Sequence, residues 1–309
     1  MRERKVKCKH AAREDGLFHS YGNVITIMHN KSLENTVFVY SAGAFGLFLR
    51  WLQRQLAFDE RGLCAPSVFN WLLTIYLLVV AWVFIKRNEK LLGKRLRLPG
   101  TLQCALDAPG KLYAFLRWFC GAGMMLGGAL VIRGSETEKY TLMLRVLGGL
   151  AILAGIGIPL YLGSANRKDG VKRGALRRLL SLTPLLLFGV WLIYDYRSNA
   201  INSVVWGFAI EVLTVATLLL GYFRLAGFAY RQIDDKRQLF WIQYGIFVSV
   251  MVLADERMTG MQMILFFAGA LLAIAQFILL GRLEEKKAPE AEKADPADAP
   301  IPDGGFERL

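Results

Sequence analysis

The sequence predicts an all-α, polytopic membrane helix bundle of about eight transmembrane helices. Three observations predict it: apolar blocks of about twenty residues, basic residues concentrated in alternate connections, and tryptophans placed near block ends. Each block is long enough to cross a hydrocarbon layer of about 30 Å at about 1.5 Å per helical residue. Hydrophobic residues make up 54% of the 309, above the roughly 45–50% usual for a soluble domain.

The chain opens on a polar stretch, 1–35, expected to be a cytoplasmic arm. It lacks the apolar core and small-residue cleavage site of a secretory signal. Met28-His29-Asn30-Lys31-Ser32 reads as a natural start, which would make 1–27 an artefact of start-site choice. Otherwise 1–27 is a disordered arm. The transmembrane domain follows over 36–281, with blocks at 36–56, 68–85, 113–132, 141–163, 177–194, 204–222, 238–254 and 260–281. From Arg282 to Leu309 the composition changes to Glu, Lys, Ala, Pro and Asp, with 8 acids and 5 bases. Such a segment buries too little apolar surface to offset its ordering entropy, so 282–309 is expected to be a disordered cytoplasmic tail.

Charge sets the orientation. Segments 1–35, 86–112, 164–178 and 223–237 carry 7, 7, 6 and 4 Lys/Arg; connections 57–67, 133–140, 195–203 and 254–260 carry 1, 2, 1 and 1. The asymmetry repeats at every hairpin and predicts both chain ends in the cytoplasm. Trp51, Trp71, Trp191 and Trp206 then fall near outer ends, and Trp82, Trp118 and Trp241 near inner ends. An indole with both apolar ring and N–H favours that interface.

A net charge of +13 raises the question of nucleic acid. The basic residues lie in short loops rather than on one helix or sheet face, so no nucleic acid partner is expected. The expected partners are the lipid bilayer, anionic headgroups at the basic cytoplasmic loops, and a membrane-protein partner or second copy. The loop 86–112, with Pro99-Gly100 and Pro109-Gly110, is the largest of them. It either lies on anionic headgroups, at about 1 kcal/mol per basic residue, or serves only as a topology signal. The expected location is the cell (cytoplasmic) membrane.

Cys8, Cys64, Cys104 and Cys120 form no CxxC pair, and Cys64 is alone on the expected outer side. His10, His19 and His29 all precede the first block, so no imidazole is available within the spans. No metal and no cofactor are expected. HExxH, GxSxG and P-loop patterns are absent. Asp234-Asp235 beside Lys236-Arg237 reads as a solvated turn rather than a Mg²⁺ site, and Glu284-Glu285 as part of the tail. No enzymatic activity is expected.

Small residues concentrate in the third and fourth blocks. Gly123-xxx-Gly127 and Ala151-xxx-Gly155 are small-xxx-small pairs that let helix backbones approach, so these two blocks should form a tight hairpin. Pro159 removes a backbone donor and should kink the fourth block, either as packing or as a transport hinge.

Ionisable residues inside blocks carry the sharpest signal. Glu211, Arg145 and Arg50 all map to the outer leaflet, about 11, 6 and 9 Å from its edge. A charge there costs at least about 2.5 kcal/mol and calls for a partner. Glu211 is expected to pair with Arg145 or Arg50, as structure or as a substrate or ion site. The alternative has both arginines reaching outward and Glu211 protonated. Arg117 and Arg224 are expected to reach the cytoplasmic headgroups. Asn70, Gln243 and Gln276 are expected to bond between helices. Asp59-Glu60-Arg61 and Asp255-Glu256-Arg257 echo one another in two outer connections, too briefly to define a repeat.

Three stretches carry a family resemblance: Ala57-Phe58-Asp59-Glu60-Arg61-Gly62-Leu63, the segment from Phe208 to Tyr230 with Glu211 and Ala226-Gly227-Phe228-Ala229, and Val252-Leu253-Ala254-Asp255. Over roughly Met28 to Gly281 the chain resembles uncharacterised multi-pass membrane proteins of anaerobic bacteria. The resemblance implies a membrane protein and supplies no activity. The leading expectation is a structural, regulatory or accessory membrane protein. A small-solute or ion transporter using Glu211 with Arg145 and Arg50 comes second, and an enzyme of lipid or cell-wall intermediates third.

Overall fold

The computed structural model describes residues 18–57, 68–93, 96–98, 111–137, 140–163, 176, 178–199, 207–230, 235–255 and 257–285. Among them are eight long helices: α1 (Phe18–Ala57), α2 (Val68–Leu92), α3 (Lys111–Gly134), α4 (Thr141–Tyr161), α5 (Thr183–Asn199), α6 (Ala209–Tyr230), α7 (Asp235–Met251) and α8 (Thr259–Leu280). The fold is an all-helical polytopic bundle. Seven helices, α2 to α8, are long and apolar enough to cross a membrane. The eighth expected block, 36–56, falls on α1, which is not one of the seven. Arg50 and Gln53 interrupt its apolar run, and both are buried against the bundle.

α1 begins at Phe18, so the expected arm is helical from there to Asn35. Its last part is tied down: Ser32 Oγ donates to the Phe277 carbonyl at 2.9 Å, and Arg87 reaches Asn35 at 2.8 Å and Glu34 at 2.9 Å. At the other end of the chain, Glu284–Glu285 pairs antiparallel with Leu96–Arg97. The tail is thus held by backbone at its first residues. The expectations for 1–17 and 286–309 concern chain outside the described residues.

α7 is the centre of the bundle. Every residue from Ile242 to Val252 is buried, and α1, α2, α6 and α8 pack around it. A helix buried on all sides cannot be amphipathic in the usual way. Its polar side chains instead face partners: Asn88 Nδ2 donates to Gln243 Oε1 at 2.9 Å, and the Ser249 hydroxyl returns to the Ile246 carbonyl at 2.7 Å. Phe247 lies edge-on to Tyr76 and Phe84, with centroids 5.9 and 6.0 Å away. Such edge-to-face pairs add about 0.5–1.5 kcal/mol beyond burial. α2 shows the opposite character. Val68, Trp71, Leu78 and Trp82 on it are 61–78% exposed, an unfavourable surface in water and a natural one against lipid.

Glycines set the packing of α3. A Cβ on Gly128 would stand 2.6 Å from the Gly148 carbonyl, and one on Gly148 would stand 2.6 Å from the Gly128 carbonyl. Seven residues along, Gly121 and Gly155 face each other in the same way. α3 and α4 therefore meet backbone to backbone at two levels, with Ala151 between. The hydrogen that replaces each side chain points at a carbonyl oxygen, a geometry that contributes perhaps ~0.5–1 kcal/mol per contact. The expected hairpin is present with Ala151 and Gly155 in its contact, but on α3 the contact residues are Gly121 and Gly128 rather than the Gly123 and Gly127 read in sequence. Gly123 and Gly127 turn instead toward α8, against Phe267, Gly260 and Ile264. Pro159 stands in the last turn of α4, where its missing donor frees the Gly155 carbonyl that Gly121 approaches. The helix runs on from Pro159 to Tyr161.

Gly148→Leu should destabilise the protein by about 1–3 kcal/mol through overpacking. Gly149→Leu, whose Cβ meets nothing within 4 Å, should stay within about 0.5 kcal/mol of wild type. Thermal unfolding of the two purified variants checks this, and equal losses would count against the backbone contact.

Candidate functional site

The end of the bundle where α7 joins α8 gathers six charged residues, and sequence reasoning identified two of them. α7 runs into one 3₁₀ turn, Val252–Ala254, after which Asp255 is extended (φ −80°, ψ 137°). Met258 then caps α8, its carbonyl accepting from Met261 and Gln262 at 2.9 and 3.2 Å. The Gln262 side chain donates back to the Asp255 carbonyl at 2.5 Å, which clips the connection to the first turn of α8.

Asp255 faces α1. Arg50 Nε donates to its Oδ1 at 2.6 Å, and both side chains are at most 2% exposed. Arg54, one turn further along α1, lies 4.0 Å from the same oxygen. The guanidinium of Arg50 also donates through Nη1 to Gln53 Oε1 at 2.6 Å, and Gln53 Nε2 donates to Asn70 Oδ1 at 2.5 Å. One relay thus runs from the connection through α1 to α2.

Arg257 faces the other way, toward α6. Its Nη2 lies 2.6 Å from Glu211 Oε2, with Glu211 1% and Arg257 30% exposed. Trp191 Nε1, on α5, donates to Glu211 Oε1 at 3.3 Å. Glu211 sits in the first turn of α6, where the helix dipole favours a negative charge. It is the third residue of the helix, about 3 Å along its axis, so it lies closer to the helix end than the block boundary at 204 implied. Asp195, four residues beyond Trp191, shares that residue's face of α5. It is 2% exposed, and its Oδ2 has no hydrogen-bond partner among the described residues.

The expected partner assignment for Glu211 is therefore corrected. Arg50 is committed to Asp255 rather than to Glu211. Arg145 is exposed on α4 beside Leu142 and Val146, away from the buried cluster. A long guanidinium side chain near a helix end can reach the interface from there without a buried partner. The residues that sequence reasoning missed, Asp255 and Arg257, stand in a connection and so were not weighed as partners for charges within the blocks. The signal available was the acid–base pair two residues apart in the shortest connection. Asp195 was missed because it stood at a block end.

Other expectations divide. Asn70 and Gln243 bond between helices as expected, whereas Gln276 is buried with neither amide atom bonded among the described residues. Arg117 is also buried, and its guanidinium donates to the Leu162 carbonyl at the C-cap of α4. A cation there satisfies a free carbonyl and the negative end of the dipole, which accounts for its turning inward. Trp191, expected at the interface, is fully buried, and its N–H finds an acceptor there in Glu211.

No family model, curated protein or solved structure matches the chain. The resemblance to bacterial multi-pass proteins gains nothing from these comparisons.

Glu211→Gln and Arg257→Gln, singly and together, should show a coupling of about 0.5–3 kcal/mol in a thermal-unfolding cycle. Glu211→Gln with Arg145→Gln should be additive within about 0.5 kcal/mol. Coupling of Glu211 to Arg145 instead would place the pair wrongly.

Proposed function

We propose that this multi-pass membrane protein is a structural or accessory component of the cell membrane, with α1 as an eighth span and both ends in the cytoplasm. One observation carries the reading: the charges on which a solute site was expected to rest are engaged within the chain or turned away from its interior. Arg50 closes on Asp255, Glu211 closes on Arg257, and Arg145 faces outward. A buried pair held this way joins helices, and removing one partner costs about 3–5 kcal/mol because the other is left uncompensated. The reading assigns the chain no enzymatic step. Its partners are the bilayer, anionic headgroups at the basic connections, and a membrane protein or second copy.

A second reading, a small-solute or ion transporter, is favoured by Asp195. That carboxylate is buried, and its Oδ2 has no hydrogen-bond partner among the described residues.

A thermal-shift series on wild type and Glu211→Gln separates the two, using a panel of ions and small metabolites at constant pH. The structural reading predicts a lower midpoint for the variant and no ligand-dependent shift in either protein. A shift present in wild type and lost in the variant would overturn it in favour of transport.

A further inference from the structure

We propose that Asn35, Asn88 and Gln243 form a buried binding site for one neutral, water-sized molecule, water itself, at the junction of α1, α2 and α7. The three helices pack on one another, and each contributes one carboxamide. All three side chains are 1% exposed.

The layers on either side fix their common level. Phe38, Phe84 and Phe247 stand one helical turn from Asn35, Asn88 and Gln243 on the same three helices. These rings meet: the Phe38 and Phe84 centroids are 6.1 Å apart, and those of Phe84 and Phe247 6.0 Å. Helices whose aromatic residues share a level also share the level one turn away. In the opposite direction, Leu92 and Leu239 stand one turn from Asn88 and Gln243, both buried. The amides therefore lie between an aromatic layer and an aliphatic one.

Hydrogen bonds join the helices at this level. Asn88 Nδ2 donates to Gln243 Oε1 at 2.9 Å. Arg87, the neighbour of Asn88, donates through Nε to Asn35 Oδ1 at 2.8 Å. Its guanidinium lies 4.5 Å over the Phe38 ring, and its Nη2 donates to Glu34 at 2.9 Å. Arg87 is 28% and Glu34 71% exposed, so that pair leads from the amides to solvent.

The atoms left open define the ligand. Among the described residues, Asn35 Nδ2, Gln243 Nε2 and Asn88 Oδ1 are buried with no hydrogen-bond partner. They are two donors and one acceptor. The count is the same whichever of Asn88 and Gln243 donates to the other, because either orientation leaves one donor and one acceptor. The bond between those two amides also keeps their open atoms near each other, since the oxygen and nitrogen of a carboxamide share one carbon. Buried polar atoms without a partner carry their full desolvation penalty. An enclosed position with two to four polar partners is where proteins hold water. Water accepts two hydrogen bonds and donates two, so one molecule satisfies all three atoms and bonds to three helices at once. An anion accepts from both donors but has no proton for Asn88 Oδ1. A metal cation suits that oxygen and is repelled by the two N–H groups.

The test is crystallography of the full chain in a lipidic mesophase, at a resolution that shows ordered water. Wild type should show one peak within about 2.7–3.2 Å of all three open atoms. The double variant Asn88→Leu with Gln243→Met leaves Asn35 Nδ2 alone, fewer partners than a buried water needs, and should lose the peak. Wild-type crystals soaked in bromide should give no anomalous signal there. A wild-type structure without the peak, its amides bonded directly to one another, would overturn the proposal. So would a peak that persists in the double variant. A bromide signal at the position would overturn it as well, because the ligand would then be an anion.

Discussion

A charge carried into a hydrocarbon layer has to find its counter-charge inside the protein, and in this chain the connection from α7 to α8 supplies it twice. Asp255 takes Arg50 from α1, and two residues later Arg257 takes Glu211 from α6. Two residues beyond Arg257's neighbour Met258, Gly260 brings its backbone against Gly127 of α3. One short segment therefore meets three helices that are distant in sequence. α7 packs against α1 and α6, and α8 packs against α3, so the connection between α7 and α8 stands beside all three.

Two kinds of interaction divide the bundle. α1, α2, α5 and α6 are joined to the connection by charge and hydrogen bonds, through the relay Asp255, Arg50, Gln53, Asn70 on one side and through Glu211 and Trp191 on the other. α3, α4 and α8 are joined by backbone approach at glycines. Neither mode requires a hydrophobic force between helices, which lipid does not provide. The first gives specificity, because each charge has a particular partner. The second gives proximity, because a carbonyl oxygen occupies the space a side chain would need.

The membrane class, the extents of most helices and the glycine-rich hairpin were legible because they depend on composition and length. Partner identity was not. Arg50 and Glu211 were recognisable as buried charges needing partners, yet depth along a span ranks partners only by height. It says nothing of which helix stands beside which, and so Arg145, in the same leaflet, stood as a candidate while Arg257, in a connection, did not. Arg117 misled for a related reason: its place at a span end suggested water, whereas the neighbouring C-cap of α4 offered a carbonyl. α7 shows the limit most clearly. Among the seven its span is the least apolar, and two of its polar residues, Gln243 and Gln238, bond to the neighbouring α2 and α6.

The central claim is that the Arg50–Asp255 pair holds α1 to the end of α7 as a compensated unit rather than as two independent residues. A double-mutant cycle on thermal unfolding, with Arg50→Met and Asp255→Leu, tests it most directly. Each single variant should lose about 3–5 kcal/mol, because it strands the other charge, and the double variant should recover most of that loss, because an apolar pair of similar volume replaces the ion pair. Additive losses in the double variant would contradict the account and return Arg50 to the position of a buried charge still in search of its partner.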